Sequence, residues 1–128
     1  MVPEYSVVSV IDDDVSVRES LPELLRELGY AAAAFSSAEE FLASNSMGDT
    51  ACLLLDIAMP GMSGPDLHNE LTVRGRNIPI IYITGFRDPN VRTRLLRDGA
   101  VECLYKPFGD QALLQALEAA FGARRTLN

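Results

Sequence analysis

The stretch Cys52–Gly64, CLLLDIAMPGMSG, constrains the fold of this chain more than any other: an apolar run, one carboxylate, then a loop rich in proline and glycine. Consecutive apolar residues without polar alternation suit a strand covered on both faces, as in a parallel sheet, and Pro60, Gly61 and Gly64 break it off. In open parallel sheets, functional groups collect just beyond the carboxyl ends of the strands, so Asp56 stands where chemistry is expected. Aspartate is also a favoured turn residue, and capping of the loop is the plain alternative.

A parallel sheet needs crossover helices, and the rest of the chain supplies the alternation. Tyr5–Ile11 is β-branched and apolar and stops at Asp12-Asp13-Asp14. Val17, Leu21, Leu24 and Leu28 recur at helical spacing, with Asp14 to cap that helix, Gly29 to end it, and Pro22 inside it predicting a kink or a shortened helix. Tyr30–Phe35 reads as a short strand. Ser37-Ala38-Glu39-Glu40 has the capping-box pattern and opens a second helix to about Ser46. After the central strand, Gly64–Arg74 reads as a helix with Leu67, Leu71 and Val73 inward and with His68 exposed or partly packed. Ile78–Ile83 is a buried strand entered through Pro79. Asp88-Pro89 starts a helix ending at Gly99. Ala100–Tyr105 is a fifth strand, and Gln111–Phe121 a closing helix. Five βα units with short connections predict a five-stranded parallel sheet with helices on both faces. At 128 residues the chain makes one domain, residues 1–121, with 122–128 as a tail or the start of a linker.

The strand ends hold Asp12 and Asp13, then Asp56, Thr84 and Lys106. In doubly wound sheets of order 2-1-3-4-5, the flavodoxin-like arrangement, the first and third strands are neighbours, and here that order would gather three carboxylates. Crowded carboxylates repel unless a cation neutralises them, and an all-oxygen set with room for water suits Mg²⁺. With Lys106 as a positive charge and Thr84 as a hydroxyl, these are the parts a phosphoryl transfer needs.

Composition closes off other classes. A net charge of −7 argues against a domain that grips a nucleic-acid backbone. Apolar runs fall far short of the ~20 residues that span a bilayer. Met1–Glu4 has no export signal pattern, which makes the cytoplasm the expected location. Cys52 and Cys103 lie in apolar runs and read as buried thiols. Arg87, Arg92, Arg94 and Arg97 make the fourth helix region basic, read first as a solvated face and second as an output or dimer surface.

Over essentially its whole length the chain resembles a receiver domain of a bacterial two-component response regulator. The resemblance rests on Val10-Ile11-Asp12-Asp13, Leu53–Gly64, Ile83-Thr84-Gly85 and Lys106-Pro107-Phe108. It implies that Asp56 accepts a phosphoryl group from a histidine of a partner sensor histidine kinase. It also implies that Asp13, Asp56 and the Ala58 backbone carbonyl bind Mg²⁺, with Asp12 helping through water. Thr84 and Lys106 would hold the phosphoryl oxygens, and the Lys106–Pro107 peptide would be cis. Phosphorylation would alter the face of the fourth helix, fifth strand and fifth helix, through which such domains can form homodimers. The domain would be a switch acting on itself rather than an enzyme.

The pattern is broken at one place. Three residues before the lysine, where the family carries a switch aromatic, stands Cys103. Tyr105 has the same side-chain direction because strand residues alternate faces, so either Tyr105 or Phe86 is expected to take over part of the signalling, or the coupling is expected to be weaker. Ala58 and Phe86 occupy positions that in the family influence hydrolysis of the acyl phosphate, and Ala58, without a polar group to position water, predicts a long-lived phosphoform. A competing enzyme reading takes Asp12 as the nucleophile of a haloacid-dehalogenase-type phosphatase, with Asp12-Asp13-Asp14-Val15-Ser16 as the motif; it leaves Asp56 idle and finds no acidic pair after Lys106. A flavin- or nucleotide-binding module would want Gly, Ser or Thr where the three acids stand.

Overall fold

A computed structural model of the chain describes residues 7–126. The order is β1 (Val7–Ile11), α1 (Val15–Glu27), β2 (Ala31–Phe35), α2 (Ala38–Ala43), a 3₁₀ turn (Met47–Asp49), β3 (Thr50–Asp56), α3 (Gly64–Val73), β4 (Ile80–Thr84), α4 (Pro89–Arg97), β5 (Glu102–Tyr105) and α5 (Asp110–Thr126). The strands form one parallel sheet in the order β2-β1-β3-β4-β5.

The pleat divides the core in two. Along β3, Leu53 and Leu55 face one way, into a cluster with Phe41, Leu67, Leu71 and Leu95 from α2, α3 and α4. Cys52 and Leu54 face the other, into a cluster with Leu21 and Leu25 of α1 and Leu113 and Leu117 of α5. Every residue of β3 is buried, which is why its sequence is an apolar run without alternation. Strand β2, at the sheet edge, is largely exposed or half-buried apart from Phe35, which matches its alanine-rich composition. Both cysteines are free and buried, as expected.

Element ends differ from the sequence reading where local hydrogen bonding decides them. Pro22 is buried in α1 without shortening it, since the helix runs thirteen residues from its Asp14 cap. Helix α2 stops at Ala43, not Ser46, because the Ser44 hydroxyl donates to the Phe41 carbonyl and turns the chain out. Its capping box is half made. Ser37 Oγ accepts from Glu40 N–H, but the Glu40 carboxylate accepts from the Ser36 amide and hydroxyl instead of Ser37. The complete capping box lies at α3, between Ser63 and Asp66. Val73, expected inward, is 74% exposed, two residues past Leu71 and so off the stripe of Leu67 and Leu71. Residues 78–79 and 100–101 lead into β4 and β5 without belonging to them, although Leu53 N–H still donates to the Pro79 carbonyl. Helix α5 continues past Phe121 to Thr126. The expected start of β1 at Tyr5 and the last residues of the tail, 127–128, lie outside the described residues.

Candidate functional site

Strands β1 and β3 are neighbours, with Ile11 opposite Leu55, so the residues that follow them emerge side by side. Asp12 is fully buried, Asp56 is 8% exposed and Asp13 is open to solvent. One carboxylate oxygen from each comes within 4.8 Å of the others. Across the sheet, Thr84 ends β4 opposite Tyr105, and the next residue is Lys106. The Lys106 amide donates to the Thr84 carbonyl at 2.7 Å, which fixes the two against each other. The Lys106–Pro107 peptide is cis.

Asp12 has no spare freedom. Its Oδ1 accepts from Asp14 N–H at 2.9 Å, its Oδ2 from Lys106 Nζ at 2.7 Å, and its backbone carbonyl from Arg18 at 3.0 Å. Asp14 in turn caps α1 by accepting from Ser16 N–H. Asp56 carries the electrostatic cost of the cluster. Burial and then the Asp12 charge push its carboxyl up to about 7, with Lys106 pulling the other way and Asp13 adding to the rise. Burial alone would lower Lys106, but its bond to Asp12 and the charges of Asp56, Asp12 and Asp14 outweigh that and leave its pKa raised, so it stays a cation. Thr84 is buried, and its hydroxyl oxygen accepts from Phe86 N–H at 3.0 Å.

The loop after β3 is held close to the end of that strand. Gly64 N–H donates to the Ile57 carbonyl at 2.9 Å, and a Cβ on Gly64 would stand 2.3 Å from the Asp56 carbonyl oxygen and 3.0 Å from the Tyr82 ring. Ala58 is exposed on this loop. Three crowded carboxylates with only oxygen donors, one of them forced to hold its proton near neutrality, are a donor set that a hard divalent cation fits.

At the far edge, Cys103 is buried in the core on the α2–α3–α4 face. Tyr105, two residues on, is half-buried, and the Arg87 guanidinium lies over its ring at 5.2 Å. Phe86 is 68% exposed. The fourth-helix arginines are not all a solvated face: Arg92 pairs with Glu102 and donates to the Cys103 carbonyl, tying α4 to β5. His68 is partly packed, with Nδ1 3.2 Å from the Tyr82 hydroxyl. Sequence reasoning missed Arg18, and it placed Arg87 in a basic patch without its stacking on Tyr105. Arg18 sits one turn after the Asp14 cap, a spacing that could have suggested its reach back to the loop.

Five parallel strands in the order 2-1-3-4-5, with acids, a threonine and a lysine at their carboxyl ends, define the receiver class of doubly wound domains. The chain belongs to the family described as "Response regulator receiver domain", whose profile matches residues 8–118. It is 46% identical over 115 residues to "Nodulation protein W" of Bradyrhizobium diazoefficiens, covering 90% of this chain and 51% of that protein. Among solved structures it resembles "Low Resolution Structure of Response Regulator StyR", with a TM-score of 0.85, 42% identity, and coverage of 94% of this chain and 61% of that one. It also resembles "Crystal structure of FixJ-N", with a TM-score of 0.81, 37% identity, and coverage of 91% and 94%. The chain spans about half the length of the curated relatives it matches. The protein is a receiver domain of a two-component response regulator, and the phosphatase alternative with Asp12 as nucleophile is overturned by the family match. The geometry agrees: both carboxylate oxygens of Asp12 already accept hydrogen bonds, and the residue is fully enclosed.

Proposed function

We propose that Asp56 is the phosphoacceptor, taking its phosphoryl group from a phosphohistidine of a sensor histidine kinase. The observation that carries this reading is the placement of one nearly buried carboxylate at the end of a fully buried strand, crowded by Asp12 and Asp13 and faced by the Lys106 cation. An Asp56 oxygen attacks phosphorus, the acyl P–O bond forms, the P–N bond to the donor breaks, and the imidazole leaves with the bonding pair. Lys106 exchanges its bond to Asp12 for one to a phosphoryl oxygen. The Thr84 hydroxyl, now accepting from Phe86, turns to donate to another.

Asp13, Asp56 and the Ala58 carbonyl would hold Mg²⁺, with Asp12 contributing through water. When bound, the ion supplies positive charge for the entering phosphoryl oxygens. Release of the Phe86 amide frees the loop that carries Arg87, so the stacked Arg87–Tyr105 pair relays the change in place of the aromatic that Cys103 displaces. The altered surface comprises α4, β5 and α5, a candidate homodimer face. The domain acts on itself and not on an external substrate, works in the cytoplasm without membrane contact, and makes no direct contact with nucleic acid, in keeping with its net charge of −7. Residues 1–121 form the receiver and 122–128 serve as a tail or the start of a linker, although α5 itself continues to Thr126.

Incubation with Mg²⁺ and a small phosphodonor is expected to add phosphoryl mass at Asp56 in the wild type and none in Asp56→Asn. Labelling at Asp12, or undiminished labelling of the variant, refutes the assignment.

A further inference from the structure

One carboxylate outside the acidic cluster touches the loop that the cluster depends on. Glu39, in the first turn of α2, reaches across to the segment between β3 and α3, where its Oε2 accepts from Met62 N–H at 3.1 Å. The same oxygen lies against the neighbouring glycine: a Cβ on Gly61, whose φ is +78, would meet it at 2.6 Å. The left-handed turn at Gly61 thus lies directly against the Glu39 carboxylate, and any other residue there would be strained by its φ and would push the end of the Glu39 side chain aside. The rest of the loop is pinned at its ends, by β3 before it and by the Gly64–Ile57 backbone bond and the Ser63 cap after it. Among the hydrogen bonds of the described residues, the bond to Glu39 is the one that joins the middle of the loop to a different element.

We infer that Glu39 is a positioning residue, a clamp from α2 that sets the loop carrying the Ala58 carbonyl and so tunes cation binding at Asp13 and Asp56. The inference rests on the proposed role of the Ala58 carbonyl. A backbone carbonyl cannot be steered by its own side chain, so its direction follows the loop's turns, and Gly61-Met62 is where an outside group sets them. Groups that orient metal ligands from outside the coordination sphere alter affinity without touching the ion. Glu39 is solvent-exposed and packs into no core, so its replacement leaves the hydrophobic clusters intact.

The test is a Mg²⁺ titration of the intact chain, followed by amide NMR shifts, for wild type, Glu39→Ala and Glu39→Gln. Glutamine keeps an oxygen acceptor for Met62 N–H while losing the charge. The alanine variant is expected to weaken Mg²⁺ binding roughly threefold to tenfold, at or below the lower end of the effect of partners that touch a ligand directly, and the glutamine variant to remain within about twofold of wild type. Equal weakening in both variants would make Glu39 a distant charge and overturn the clamp. Unchanged affinity in the alanine variant, with or without a lower melting temperature, would overturn it as well by leaving only a structural role. A wild-type protein that binds no Mg²⁺ would remove the proposed metal site itself and this inference with it, an outcome distinct from the other two.

Discussion

At Gly64 the entry to α3 presses against the backbone at the end of β3. A methyl group there would press on the Asp56 carbonyl oxygen, which is backbone and cannot step aside, and on the enclosed Tyr82 ring. Gly64→Ala is expected to cost roughly 1–3 kcal/mol by overpacking and to displace the acceptor, measured as a lower melting temperature together with slower labelling. Asp56 makes a second residue-level case. Its folded pKa of about 7 lies above that of an unfolded aspartate, so the native state holds this proton more tightly. The stability it contributes is full below about pH 4 and is lost as pH rises through about 7. Metal-free Asp56→Asn should therefore be more stable than wild type at pH 8, by roughly 1–2 kcal/mol once the shift is discounted for solvent screening, and close to it at pH 5. Equal melting differences at the two pH values would contradict this. Asp12, Asp13, Asp56, Thr84 and Lys106 were legible because strand-end position and residue type point the same way. Arg18, Glu39 and Arg87 were not, because each acts through a contact made only when separate elements meet.

Helices and strands were read correctly where hydrophobic period and punctuation agreed, as in β3 and α4, the latter with its Asp88 cap and Pro89 in the first turn. The errors lie at ends decided by short-range competition between hydrogen bonds, such as Glu40 turning to Ser36 and the Ser44 hydroxyl closing α2 early. The edge formed by the β4–α4 loop and β5 yields the clearest element-level expectation. Arg87 comes from the loop and Tyr105 from the strand, so their stacking depends on the position of the loop. Tyr105→Ala should retain labelling at Asp56 yet lose phosphorylation-dependent self-association, as followed by sedimentation. An unchanged association would exclude Tyr105 from the relay.

For the molecule as a whole, the parallel sheet and its two helical layers follow from alternating βα units, and the strand order from the family resemblance rather than from periodicity. The fold holds three acids together at a cost, so a cation bound among them would couple to stability. Mg²⁺ at ten times its dissociation constant is expected to stabilise the native state by about 1.4 kcal/mol, and chelation to reverse the gain in a thermal melt. Asp13→Asn should abolish that increment; a melting curve indifferent to Mg²⁺ would break the link.

The resting bond between Lys106 and Asp12 gives the domain the character of a balance. On the proposed reading one ammonium has two suitors, the Asp12 carboxylate and an incoming phosphoryl dianion, and it can satisfy one fully at a time. The firmness of the first attachment would then set how strong a bid the second must make, so that the threshold of the proposed switch would lie in a contact between the residues just beyond β1 and β5.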